Sequence, residues 1–113
     1  KLGDEVMVVG SDAAALTQWA VGLQELTDGD GPTPRIGIHY GSALYRDGDY
    51  FGREVNQAAR VVARAAGGEV LVTRQVVDLA GTLDGVRFER IGEVRLKGFS
   101  ETTELFIAAA AGR

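Results

Sequence analysis

The spacing of apolar residues switches repeatedly between period two and period three to four, and this alternation limits the possible folds more than any other feature. Glu5–Val9 is a short apolar run that predicts a buried strand. Ser11 or Asp12 can then cap a helix running to about Thr27, on which Leu16, Trp19, Ala20, Leu23 and Leu26 recur at helical spacing as a core-facing stripe. Asp28–Pro34 contains both prolines and predicts a loop. Period-two alternation follows over Arg35–Tyr40, with Ile36, Ile38 and Tyr40 on one face and Gly37 and His39 on the other. Ser42–Tyr45 predicts a second extended piece, with a turn at Asp47–Gly48. A helix from about Arg53 to Ala66 would bury Val55, Ala58, Ala59, Val62 and Ala66 and stop at Gly67–Gly68. Glu69–Thr73 predicts a strand and Arg74–Ala80 a short helix closed by Gly81. Val86–Ile91, Val94–Leu96 and Thr103 to about Ala109 predict the remaining strands. Strands alternating with helices, plus one hairpin, predict an α/β (α+β) fold whose mixed or antiparallel sheet carries helices on one side.

The chain has 113 residues, enough for one domain with a usable core, and no internal boundary is visible over 1–113. No apolar run approaches the roughly 20 residues of a membrane span, and no signal-peptide pattern is present; a cytoplasmic location is expected. The absence of cysteine excludes thiolate metal sites, and a single histidine excludes a His-cluster zinc site. A net charge of −4 argues against nucleic-acid binding, so an anionic ligand would need a local cationic site or metal ions.

One segment concentrates chemistry. In Asp49-Tyr-Phe-Gly-Arg-Glu-Val-Asn56-Gln-Ala-Ala-Arg60, Asn56 and Arg60 stand four residues apart on a helix, on one face about one turn apart. An amide and a planar guanidinium fork aimed at one region suit an anionic or oxygen-rich ligand. This pattern resembles the nucleotide-binding helix of class III adenylyl and guanylyl cyclases. Three more segments resemble family elements in the right order: Lys1-Leu-Gly-Asp4-Glu-Val-Met, the strand Arg35–Ser42, and Arg95-Leu-Lys97-Gly98-Phe.

The resemblance implies a ferredoxin-like β-α-β cyclase core and an adenylate cyclase, a lyase that converts ATP to 3′,5′-cyclic AMP and pyrophosphate. It implies that Asn56 positions the ribose and that Arg60 stabilises charge on the α-phosphate. Lys97 would contact the triphosphate, and Asp49 would accept a hydrogen bond from the adenine amino group. Asp4 would be one of two carboxylates holding a pair of Mg²⁺ or Mn²⁺ ions. The family works as a head-to-tail homodimer, with metal aspartates of one protomer facing the nucleotide-binding residues of the other.

The pattern departs from the family at two places. The family lysine that reads the base lies three residues before the motif glycine, whereas only Leu2 separates Lys1 from Gly3. A one-residue shift on a strand turns a side chain to the opposite face. The resemblance also covers about the last two-thirds of the family domain, so its first strand and two helices, and the second metal carboxylate, are expected to be missing. This chain alone is therefore expected to be inactive. A noncatalytic cyclase-like module that binds nucleotide or a regulatory partner is the alternative.

Other signals fail. Asp28-Gly-Asp-Gly begins like a calcium loop but carries His39 at its twelfth position instead of glutamate, and there is no phosphate-binding G-x-x-x-x-G-K-[ST]. His39, alone in a strand, is expected to be structural.

Overall fold

The computed structural model describes residues 9–27 and 33–112. Lys1, Asp4, the strand expected over Glu5–Val9 except Val9 itself, and most of the loop expected over Asp28–Pro34 lie outside them.

Helix α1 (Ala13–Thr27) opens at Asp12, whose Oδ1 accepts the Ala15 backbone N–H at 3.1 Å. Of the two candidate caps, Asp12 is the one used. Strand β1 (Ile36–Ile38) leads to a hairpin of β2 (Leu44–Arg46) and β3 (Asp49–Phe51). Asp47 (φ 53°) and Gly48 (φ 80°) make its two-residue turn, since paired positive φ values match the twist of a tight hairpin. Helix α2 (Arg53–Arg64), β4 (Val70–Thr73), α3 (Arg74–Ala80), β5 (Val86–Arg95) and β6 (Thr102–Ala110) complete the order. Four strands form one mixed sheet in the order β1-β4-β6-β5, in which β1 and β4 are parallel and the other pairs antiparallel.

Strand alternation sorts the core into two layers. Val70 and Val72 of β4 and Phe106 and Ala108 of β6 pack with Ala20, Val21 and Val76 of α1 and α3. Their sequence neighbours Leu71 and Leu105 point the other way and pack with Val61 and Ala65 of α2. Helices therefore cover both faces, not one as the sequence suggested. The reason is that β4 is buried at every position, with apolar Val70 and Val72 on one face and Leu71 on the other, so both of its faces must be covered.

The structure corrects three further sequence expectations. Trp19 is 50% exposed and Leu26 85% exposed, while Thr17, Ala20 and Val21 are buried. The stripe on α1 is rotated because Thr17 satisfies its hydroxyl on the Ala13 carbonyl (2.7 Å) and can enter the core. On α2 the buried positions are Gln57, Val61 and Ala65, whereas Ala59 and Ala66 are exposed. Gln57 goes inward because its Nε2 donates to Thr103 Oγ1 at 3.0 Å. Finally, the pieces expected at Val86–Ile91 and Val94–Leu96 are one strand carrying a bulge between Arg90 and Gly92, where Gly92 takes φ 132°. The extra residue inverts the parity of side chains, so Phe88 faces the α1/α3 layer and Val94 the α2 layer.

On the β5–β6 surface, Glu104 accepts hydrogen bonds from Arg74 (2.9 and 3.0 Å) and Arg90 (2.6 Å). The Arg74 guanidinium also sits 4.7 Å from the Phe106 ring centroid. Hydrogen bonds from Arg74 first, then Arg90, lower the Glu104 carboxyl from 4.5 to about 2. A carboxyl whose folded pKa is depressed stabilises the fold fully above its unfolded pKa, and that contribution disappears as pH falls through the folded value. Glu104→Gln is therefore expected to lower Tm at neutral pH by a few degrees. The gap between variant and parent should close as pH is taken from about 4.5 down to about 2; a gap independent of pH would remove the ion pairs as its cause.

Candidate nucleotide-binding site

Helix α2 meets the β5–β6 turn across an open groove of about 960 Å³, lined by Gly52, Arg53, Asn56, Ala59, Arg60 and Ala63 on one side and residues 97–100 on the other. The helical wall follows from spacing: positions 53, 56, 60 and 63 recur at three and four residues and so share one face. The opposite face, with Gln57, Val61 and Ala65, is held on the sheet. Burial of one side of α2 thus dictates which side chains face the groove.

The other wall is a tight turn. Leu96 is 1% exposed and anchors it, the Phe99 N–H returns to the Leu96 carbonyl at 3.1 Å, and Gly98 takes φ 86°. A positive φ at the third turn residue requires glycine or a close substitute. Lys97, one position earlier, is left pointing out of the turn, exposed. Arg95 Nη1 donates to the Ser100 carbonyl at 2.7 Å and braces the same connection. Across the groove, the Arg53 guanidinium lies 4.8 Å from the Phe99 ring centroid, tying the two walls together.

Asn56, Arg60 and Lys97, separated by 37 residues between the last two, therefore line one groove. Among the described residues no hydrogen bond or ion pair occupies the Asn56 amide, the Arg60 guanidinium or the Lys97 ammonium. No carboxylate lines the groove. Its charge is positive and its polar side chains are rich in donors, which suits phosphate and ribose oxygens, while without a carboxylate it does not suit a divalent cation. Among the described residues no cluster of three or more metal-ligating side chains exists either.

Asp49 is not among the groove residues. It stands at the turn end of the hairpin, paired with Arg46, and its Oδ1 accepts the Tyr50 N–H at 2.8 Å. Asp49 to Phe51 form the second hairpin strand, which is not among the strands expected from the sequence; Gly52 (φ 134°) makes the break that starts α2. His39 is structural, as expected, with both ring nitrogens engaged. Arg53, Phe99 and Ser100 were missed as groove residues. The signal for Arg53 was available, because it precedes Asn56 by three and Arg60 by seven on the same face. Nothing local marks Phe99 and Ser100, which reach the groove through the long β5–β6 pairing.

The family model for the adenylate and guanylate cyclase catalytic domain matches residues 27–109, which includes both walls of the groove. The chain belongs to that family. Cyclase similarity extends to curated relatives: a pH-sensitive adenylate cyclase of Mycobacterium tuberculosis (strain CDC 1551 / Oshkosh) is 38% identical over 110 residues. That match covers 93% of this chain and 28% of the relative's length. Among solved cyclase structures, the adenylate/guanylate cyclase/hydrolase of Silicibacter pomeroyi superposes with a TM-score of 0.63 at 25% identity. It covers 88% of this chain, which covers 59% of it. An adenylate cyclase of Trypanosoma brucei, solved in its monomeric state, gives 0.58 at 29% identity, covering 68% of this chain and 37% of that one. The mixed sheet and its helices are thus those of a cyclase catalytic domain, as the sequence motifs implied. Among the described residues no helix is long and apolar enough to cross a membrane.

Proposed function

We propose that this chain is the C-terminal part of an adenylate cyclase catalytic domain and supplies the nucleotide-holding half of the site that forms 3′,5′-cyclic AMP and pyrophosphate from ATP. The observation that carries this reading is the convergence of unpaired Asn56, Arg60 and Lys97 on one carboxylate-free groove. Arg60, with its fixed fork, suits the α-phosphate, where charge builds as the 3′-hydroxyl attacks and pyrophosphate departs. Lys97, a point charge on an exposed turn, suits the leaving phosphates. Asn56, one helical turn before Arg60, suits the ribose, holding the attacking hydroxyl near the phosphorus. Asp49 stands on the hairpin outside the groove, so the adenine amino group would have to extend past Gly52 to reach its carboxylate; guanine presents a carbonyl at that edge.

Two divalent ions would activate the hydroxyl and neutralise the leaving group. This groove has no ligand for them, so Asp4 and a second carboxylate must face it from a partner protomer. A head-to-tail homodimer provides that arrangement. Its support here is the hairpin region, which leaves Tyr40, Leu44, Tyr45 and Phe51 between 49% and 61% exposed, an apolar group of the kind that marks a protein interface.

The deciding experiment uses the whole gene product, supplied with Mn²⁺ and either ATP or GTP. Cyclic AMP from ATP, with little cyclic GMP from GTP, is expected. Asn56→Ala should abolish detectable product while preserving the far-ultraviolet circular dichroism. A folded dimer that converts neither nucleotide would leave the noncatalytic nucleotide-binding module as the better reading.

A further inference from the structure

Helix α2 carries the groove residues on its outer face, and its inner face makes one contact that core packing does not require. His39, at the end of β1, has a side chain only 1% exposed and lies between two polar partners. Its Nε2 is 2.7 Å from Glu54 Oε1 in the first turn of α2, and its Nδ1 is 2.8 Å from Thr73 Oγ1 at the end of β4. A carboxylate only accepts, so Nε2 carries the hydrogen of the first bond. The Thr73 hydroxyl can donate to Nδ1 or accept from it, so the chain of contacts is complete with either one or two protons on the ring.

Glu54 is also confined from outside. A methyl group on Gly41 would overlap Cβ, Cγ and Cδ of Glu54, so the backbone after His39 lies directly against this side chain. Glu54 precedes Asn56 by two residues, which places them about 200° apart around the helix. Fixing one therefore fixes the direction of the other. Further along, Gln57 on Thr103 and Val61 in the core already hold the helix, but the first turn has no side-chain cap: Gly52 stands at its N-cap.

We propose that Glu54 and His39 are a positioning pair for the cyclisation reaction, setting the rotation and height of the first turn of α2 and so the placement of Asn56 and Arg60. The inference rests on the cyclase reading above and adds to it two residues that touch no substrate. Positions that act in the transition state are sensitive to displacement, and a misplacement of about 1 Å can cost up to about 100-fold in rate. The effect belongs in kcat, because Lys97 on the other wall still helps gather the nucleotide when Asn56 and Arg60 are merely misaimed.

Glu54 is the partner to change, since its side chain is 35% exposed whereas removing the imidazole would empty a buried site. In the full-length protein, Glu54→Ala is expected to lower kcat roughly 10- to 100-fold with KM for ATP within about threefold. Glu54→Gln keeps an oxygen acceptor for Nε2–H and should stay within about threefold of the parent in kcat. Gly41→Ala, which displaces the same carboxylate without deleting it, should resemble Glu54→Ala. Hydrogen exchange of the amides of residues 56–58, the first ones bonded within the helix, gives a readout independent of catalysis: faster in Glu54→Ala, unchanged in Glu54→Gln. Unchanged kcat in Glu54→Ala, an effect on KM alone, or equal damage from Ala and Gln would overturn the proposal. If the parent itself makes no cyclic nucleotide, the cyclase reading falls, and the exchange comparison alone decides whether the pair fixes this turn.

Discussion

Arg60→Ala in the full-length protein is expected to reduce kcat by about 10²–10³, the usual loss when one preorganised donor to developing charge is removed. Stability should hardly change. Arg60 is exposed, lies on the outer face of α2 and has no partner among the described residues, so its removal leaves no buried group unsatisfied. Arg60→Lys should recover only part of the activity, because an ammonium restores charge without the two-pronged geometry. Rates of cyclic AMP formation at saturating ATP, with melting curves on the same samples, check this. A fully active, folded Arg60→Ala protein would remove Arg60 from the chemistry. It would also leave the groove as a nucleotide cradle only.

Gly37→Ala is expected to be the most damaging single methyl group in this molecule. A Cβ at Gly37 would stand 2.6 Å from the backbone N of Val62 and 2.9 Å from its Cα. Those atoms are backbone in the last turn of α2 and cannot rotate away as a side-chain end would. The helix must lift from β1, or the strand must shift against β4. Overpacking of this kind costs about 1–3 kcal/mol, which lowers Tm by roughly 5–15 °C at this chain length. Alanine suits a strand better than glycine does, so any loss comes from the contact itself. Because α2 also carries Asn56 and Arg60, activity should fall with stability. A thermal scan showing Gly37→Ala within about 2 °C of its parent would mean that the close approach of β1 and α2 is not needed.

These two predictions differ in where they could be read. Arg60 was visible in the sequence, because helical spacing puts it beside Asn56 and the family motif extends across both. Gly37 looked like an ordinary alternate position on a strand. Its importance comes from a helix 25 residues away pressing on it, which no local pattern encodes. The same distinction applies to the bulge at Gly92. Two apolar pieces were legible there, but their union into one strand depends on pairing with β6. Likewise, the apolar periodicity of α1 announced a helix correctly but placed Trp19 inward. Which of two adjacent stripes is buried depends on the shape of the surface receiving it, and here Thr17, Ala20 and Val21 fit that surface.

The sequence by itself determined the three helices and the approximate places of most strands, the tight turn at Asp47–Gly48, and the chemical character of Asn56, Arg60 and Lys97. These follow from backbone preferences and side-chain chemistry acting over a few residues. Tertiary structure alone decided that α2 covers the face opposite α1 and α3. It also brought Lys97 to Arg60, left Asp49 on the hairpin outside the groove, and joined His39 to Glu54 and Thr73. Those outcomes depend on covering both faces of one fully buried strand and satisfying the polar groups carried inward with it, a condition that holds only for the assembled chain.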